Sequence, residues 1–169
     1  SGTDIGPGMC LIDRWIRNMS KKKYDEKGTI AKSGKVNEVA LNHLLQNFHK
    51  KKKLIGGGDI YSFDTKFFDF SFVEKLSIED GAATLTEFTA KIIISSIKEI
   101  KRYKEKIILC GGGRKNDLLV KKLKDECDRI KLIDDYKIDG DFIESQAFAY
   151  LAIRSILKLP ISFPETTGV

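Results

Sequence analysis

The chain has 169 residues, enough for one domain with its own core or one domain and a small second one. Hydrophobic residues make up 41% and charged residues 32%, which excludes a disordered tail and a collagen-like repeat; no apolar run approaches about 18 residues, so no membrane-spanning helix is expected. The excess of 30 basic over 24 acidic residues invites a nucleic-acid reading, but only six of the basic residues are arginine and the lysines alternate with acids, as in KDECDRIK, which is the pattern of a solvated surface.

The opening TDIGPG is turn-forming, and it lacks the basic stretch leading into an apolar one that marks a secretory signal. Met9 to Met19 reads as a helix, with Leu11, Ile12, Trp15, Ile16 and Met19 recurring at three and four. Ser20 to Lys32 is lysine-rich and reads as a surface loop. A second helix is expected from Gly34 to about Phe48, burying Val36, Val39, Ala40, Leu44 and Phe48. Lys50 to Tyr61, with its basic block and Gly56-Gly57-Gly58, reads as loop, and Asp64 to Leu76 as aromatic and weakly helical. Ser77 is a helix-starting residue, and the long helix after it, to about Tyr103, buries Leu85, Phe88, Ile92, Ile93, Ile97 and Ile100. Lys106–Cys110 is a short apolar run ending in Gly111-Gly112-Gly113, a buried strand. A helix from about Asn116 to Cys127, a strand at Arg129–Ile133 and a helix from about Phe142 to Leu157 follow. The tail LPISFPETTGV reads as an extended, docked end.

The order strand, glycine turn, helix, strand, helix is an α/β unit with parallel strands. Two strands do not make a stable parallel sheet, because both faces and both edges need cover. The chain is therefore expected to be part of a larger fold. Cys10, Cys110 and Cys127 are odd in number with no CxxC spacing, which fits reduced thiols and a cytosolic protein. His43 and His49 lie too far apart for one metal on a helix, so no metal centre is expected.

Three constellations carry candidate chemistry. Cys110-Gly-Gly-Gly-Arg-Lys-Asn116 brings a strand to a turn without side chains and then to a helix N-terminus, where a nucleotide could approach the backbone; a tight structural turn is the alternative. It matches neither GxGxxG nor GxxxxGK[ST]. Arg114 and Lys115 could pair with phosphates. Asp4 stands before the rigid turn Gly6-Pro7-Gly8, where a carboxylate could serve as a general base or simply as a cap. Asp139, Asp141 and Glu144 crowd the first turn of the last helix, which favours the helix dipole or else presents Glu144 or Asp139 to the cleft beside the glycine turn. Thr84, Thr86 and Thr89 could cap or line a cleft, with structural roles as the favoured alternative.

Six motifs in order resemble the C-terminal half of the anhydro-N-acetylmuramic acid kinases: TDIGPGM-CLID-RW, Gly34-Lys-Val-Asn37, Ala83-Thr-Leu-Thr-Glu-Phe-Thr-Ala90, Cys110 to Asn116, Ile138 to Arg154, and the ending Leu159 to Gly168. The resemblance covers nearly the whole chain. It departs at Ile5 and Met9, where the family carries Thr and Asn, and at Leu54–Asp59, where the family has a Pro-Pro-Lys-Ser stretch. It implies an α/β fold, the helix-rich C-terminal lobe of an actin-like (RNase H-like) ATPase spanning residues 1–169, with the sheet incomplete and the N-terminal phosphate-loop lobe absent.

The activity so implied is transfer of the ATP γ-phosphate, with Mg²⁺, to O6 of 1,6-anhydro-N-acetylmuramic acid while water opens the anhydro ring. Asp4 would then be the base, with Gly6, Pro7, Gly8 and Glu144 near the sugar. Gly111, Gly112, Gly113 and Asn116 would hold the adenosine side of ATP. The implied partner is the N-terminal half of the kinase, with no nucleic acid and no membrane, and a homodimer stays open. A non-catalytic remnant of a split kinase is the competing reading, favoured by Ile5, Met9 and the rewritten loop.

Overall fold

Leu11, Ile12, Trp15 and Ile16 put four large apolar side chains on one stripe, and the stretch folds as helix α1, Cys10–Met19, with all four buried. The computed structural model describes residues 4–54, 68–69, 71–99 and 105–164. The Gly56–Gly58 run, the start of the aromatic segment at residues 64–67, the end of the long helix at 100–103 and the last residues of the tail lie outside them.

The lysine-rich stretch after α1 departs from the expected loop. Asp25 is buried, and its carboxylate accepts the N–H groups of Ile30 at 2.8 Å and Ala31 at 3.0 Å. A capping acid of this kind satisfies orphan donors, so a 3-10 turn, Glu26–Gly28, and helix α2, Thr29–Ser33, form there. Helix α3, Glu38–Leu54, begins after Asn37 rather than at Gly34, because Asn37 Oδ1 accepts the Ala40 N–H at 2.9 Å. It continues through Lys50–Lys53, so the basic block is helix and not loop. Ala40, Leu44 and Phe48 are buried as expected, together with Leu41, whereas Val39 is 68% exposed on the opposite face.

Helix α4, Ile78–Glu99, starts where Ser77 Oγ accepts the Asp80 N–H at 3.1 Å. It is buried on two sides. Ala82, Leu85, Phe88 and Ile92 join α1, α2 and α3 in one apolar cluster, where the Phe48, Phe68 and Phe88 rings meet pairwise at 6.1 Å. Ala90, Ile94 and Ile97 join Leu119, Leu123 and Ile130 in a second cluster. Thr84, Thr86 and Thr89 are fully buried and structural. Thr84 Oγ1 donates to the Asp80 carbonyl and accepts the Asn37 N–H, and Thr86 Oγ1 donates to the Ala82 carbonyl.

The α/β unit is as expected. Strand β1, Ile107–Leu109, pairs in parallel with β2, Ile130–Leu132, with Ile107 opposite Ile130, and helix α5, Asp117–Glu126, connects them. These two strands make the whole sheet among the described residues. β1 is not the buried strand expected, since Ile108 points out to solvent. Helix α6, Ile143–Ile156, has no buried residue, with Phe148 71% and Ile156 80% exposed. The tail is not docked either: Leu159, Ile161 and Phe163 are exposed. A helix with apolar residues on most sides needs apolar cover, and the described residues do not supply it. The architecture is thus a helix-rich α/β unit with an incomplete parallel sheet. No described helix is long and apolar enough to cross a membrane.

The α1–α4 contact depends on a missing side chain. Trp15 lies flat against Gly81, where a Cβ would collide with the indole, and its Nε1–H donates to the Ile78 carbonyl at 2.9 Å. Gly81→Ala gains about 1 kcal/mol of helix propensity, but Trp15 is buried and cannot retreat. The expected net result is a loss of about 1–2 kcal/mol, measured as a lower urea midpoint at unchanged slope.

Candidate functional site

Strand β1 hands the chain to Gly111, which takes φ 74 and ψ −176, a conformation open in practice only to glycine. A Cβ on Gly111 or Gly112 would meet no atom within 4 Å, so the backbone there is open to a close-approaching ligand. The 3-10 turn Gly112–Lys115 follows, and Asn116 then caps α5, its Oδ1 accepting the Leu119 N–H at 3.0 Å.

Arg114 does not wait for a phosphate. Its side chain is 5% exposed. Its guanidinium forks onto Asp134, with Nε to Oδ2 at 2.7 Å and Nη2 to Oδ1 at 3.3 Å, while Nη1 donates to Asp141 Oδ1 at 2.8 Å and to the Gly111 carbonyl at 3.0 Å. Such a charge-assisted fork is directional, and it clamps the glycine turn to the loop before α6. Gly140 is required beside it, because a Cβ there would collide with the guanidinium. Lys115 pairs with Asp141 as well. The Arg114 hydrogen bond holds the Asp134 carboxyl below the ordinary carboxylate range, and those of Lys115 and Arg114 do the same for Asp141. Asp139 accepts the Asp141 N–H at 2.9 Å and lies 3.9 Å from Arg114. These two aspartates therefore serve the clamp, not the dipole of α6, whose N-cap Phe142 makes no side-chain cap.

The two glycine turns come together. Pro7 is buried, Gly6 lies against Ile92 of α4, and the Gly8 carbonyl accepts from Thr89 Oγ1 at 3.4 Å. Met9, at the end of the first turn, packs on the second: a Cβ on Gly113 would lie 3.4 Å from Met9 Cγ. Between α1, the Asp25 loop and the start of α5 lies a cavity of about 620 Å³, lined in part by Met9, Tyr24, Gly112, Lys115 and Asn116.

Asp13, which the sequence reading passed over, also lines it. Burial pushes the Asp13 carboxyl above its ordinary range, offset in part by Arg17 and reinforced by Asp25. The available signal was an acid set beside the apolar stripe of α1. Among the expected site residues, Gly112 and Asn116 reach the cavity and Gly113 lies against Met9. Asp4 and Glu144 are exposed and are not part of its wall. Among the described residues no three His, Cys, Asp or Glu side chains gather to hold a metal ion.

A family model described as anhydro-N-acetylmuramic acid kinase matches residues 1–169. Relatives of that name include one from Pelagibacter ubique, 52% identical over 98% of this chain and 45% of its own length, and one from Zymomonas mobilis, 40% identical over 98% and 44%. A third, from Vibrio vulnificus, is 33% identical over 99% of this chain and 46% of its own length. The chain thus spans less than half the length of these curated relatives.

The clamp has a pH signature. Asp134 and Asp141 have folded-state pKa values below the unfolded one, so their contribution to stability is present above about pH 4 and lost as pH falls through the lowered values. Arg114→Met is expected to melt at a lower temperature than the parent chain from pH 5 to 8. That difference should close below about pH 4, as followed by circular dichroism.

Proposed function

The chain belongs to the anhydro-N-acetylmuramic acid kinase family, and on that premise we propose that it forms the C-terminal lobe, residues 1–169, of an actin-like ATP-dependent kinase acting on the anhydro amino sugar. The observation that carries this reading is the meeting of the two glycine turns: Met9, which ends the first, lies against Gly113 of the second, and Met9 and Gly112 line one cavity. The sugar-side turn and the adenosine-side turn must adjoin if the γ-phosphoryl group of a bound nucleotide is to reach the sugar.

ATP fits the residues present. The Gly111–Gly112 backbone is open, and Asn116 leaves a buried amide nitrogen without a partner. Gly111, Gly112, Gly113 and Asn116 would hold the adenosine side, and the bound nucleotide would supply the γ-phosphoryl group. Mg²⁺ would enter with the phosphates it neutralises, since that ion keeps several waters and needs only one or two protein carboxylates.

In this reading Asp4, held ahead of the Gly6-Pro7-Gly8 turn, takes a proton from water as the water attacks C1 of the anhydro sugar. The C1–O6 bond breaks, and O6 takes the γ-phosphoryl group of ATP as the bond from the γ-phosphorus to the β,γ-bridging oxygen breaks, giving N-acetylmuramic acid 6-phosphate and ADP. Gly6, Pro7 and Gly8 would shape the sugar side, and Glu144 would approach it from α6, whose start is tied to the glycine turn through Asp141 and Arg114. The cleft closes only when the remaining half of the kinase covers it. The uncovered apolar surface of α6 and the tail supports a lobe meant to be joined by more protein.

The test is reconstitution. Supplying the remaining half of the Pelagibacter ubique relative in trans is expected to give ATP- and anhydro-sugar-dependent N-acetylmuramic acid 6-phosphate. Asp4→Asn is expected to lower kcat by about 10²–10⁴-fold. A reconstituted pair without turnover, or turnover indifferent to Asp4→Asn, would favour a non-catalytic remnant instead.

A further inference from the structure

Two apolar clusters flank α4, and among the described residues Met9 is the one side chain that packs against both. It touches the cluster of α1, α2 and α3 on one side and that of Leu119, Leu123 and Ile130 on the other. It also stands between the two glycine turns. A Cβ on Gly113 would lie 3.4 Å from Met9 Cγ and 3.9 Å from Met9 Sδ, and beyond its chain neighbours it would meet no other described residue within 4 Å.

The polar ties hold each turn separately. Gly6 lies against Ile92 of α4 and the Gly8 carbonyl accepts from Thr89 of the same helix. Gly111 is tied through Arg114 to the acidic loop before α6. Among the described residues no hydrogen bond or ion pair joins residues 4–9 to residues 110–116. The spacing of the two turns is therefore a matter of packing, and Met9 is the side chain packed between them. Its place on α1 does not explain it. Met9 is the N-cap residue, where a polar side chain is preferred, and it makes no capping bond. An unbranched thioether does fill an irregular seam between two walls without strain.

We propose that Met9 is a positioning residue: it sets the distance between the turn that follows Asp4 and the Gly111–Gly113 turn, and with it the reach of the γ-phosphoryl group to the sugar. This rests on the reading of the two turns as the sugar and nucleotide sides of one cleft, and it adds the residue that holds them in register. Phosphoryl transfer leaves the protein little covalent work, so its rate follows alignment, and a misplacement of about 1 Å costs about 10²-fold. Each substrate is held by its own turn, so loss of Met9 leaves both binding steps and slows the transfer between them.

The test is steady-state kinetics of the reconstituted pair, with each variant made in the full chain and assayed at a temperature where circular dichroism shows it folded. Met9→Ala removes Cγ and Sδ, and is expected to lower kcat by at least about tenfold. The KM values for ATP and for the anhydro sugar should each stay within about threefold of the parent. A loss of folded protein alone would not spare Met9→Leu, which has nearly the same volume and remains in the seam; it should hold kcat within about threefold of the parent. Met9→Gln keeps the length and the helix propensity, but its amide leaves the apolar seam for the open cavity. It should lose kcat as Met9→Ala does, and it carries the test if Met9→Ala does not fold.

No turnover by the parent pair overturns the kinase reading, and this inference with it. Turnover in which Met9→Ala and Met9→Gln both keep kcat within about threefold of the parent overturns this inference alone. A KM for either substrate raised about tenfold or more at unchanged kcat assigns Met9 to binding and also overturns it.

Discussion

Helix α4 is buried on two opposite sides, and the rest of the molecule is arranged by that constraint. Its three threonines lie in the stretch enclosed in this way, so they bond backbone carbonyls or the loops that reach it. It also has little room for its neighbours, which meet it through glycine. Gly6 lies on Ile92, Gly34 on the Glu79 backbone, and Gly81 admits the Trp15 ring. The first glycine turn hangs from α4 through the Thr89–Gly8 bond, and the second is carried by the α5 unit packed on its other side.

The second organising contact is the Arg114 clamp. It converts two flexible segments, a glycine turn and an acidic loop, into one unit, because a planar guanidinium satisfies two carboxylates and a carbonyl in a fixed geometry. Its consequence reaches α6, whose start is fixed while its body finds nothing to bury against. The start of α6 is held while its apolar surface is uncovered among the described residues, and the chain matches less than half of its relatives' length.

The cavity between α1, the Asp25 loop and the start of α5 runs against the logic of stability. Asp13 is kept half-buried with an unpaired oxygen, and Asn116 with an unpaired nitrogen, where apolar residues would cost less. Elsewhere the buried polar groups are met locally, as Asp25 is by the two amides it caps.

Much of this was legible in the residues. Periodicity located α1, α4, α5 and α6, the short apolar runs located both strands, and the motif order identified the family, because these signals are local or linear. What the sequence left open depended on contacts between distant segments. A lysine-rich stretch became α2 because Asp25 is buried under it, and α3 began late because Asn37, and not Gly34, caps it. Arg114 looked like a phosphate ligand until Asp134 and Asp141, more than a dozen residues away, claimed it. Asp13 drew no reading of its own from the sequence, because only the fold brings it to the same cavity wall as Asn116. Helix α6 looked like core by composition, yet burial belongs to a pair of surfaces, and only the folded chain could show that its partner surface is missing among the described residues.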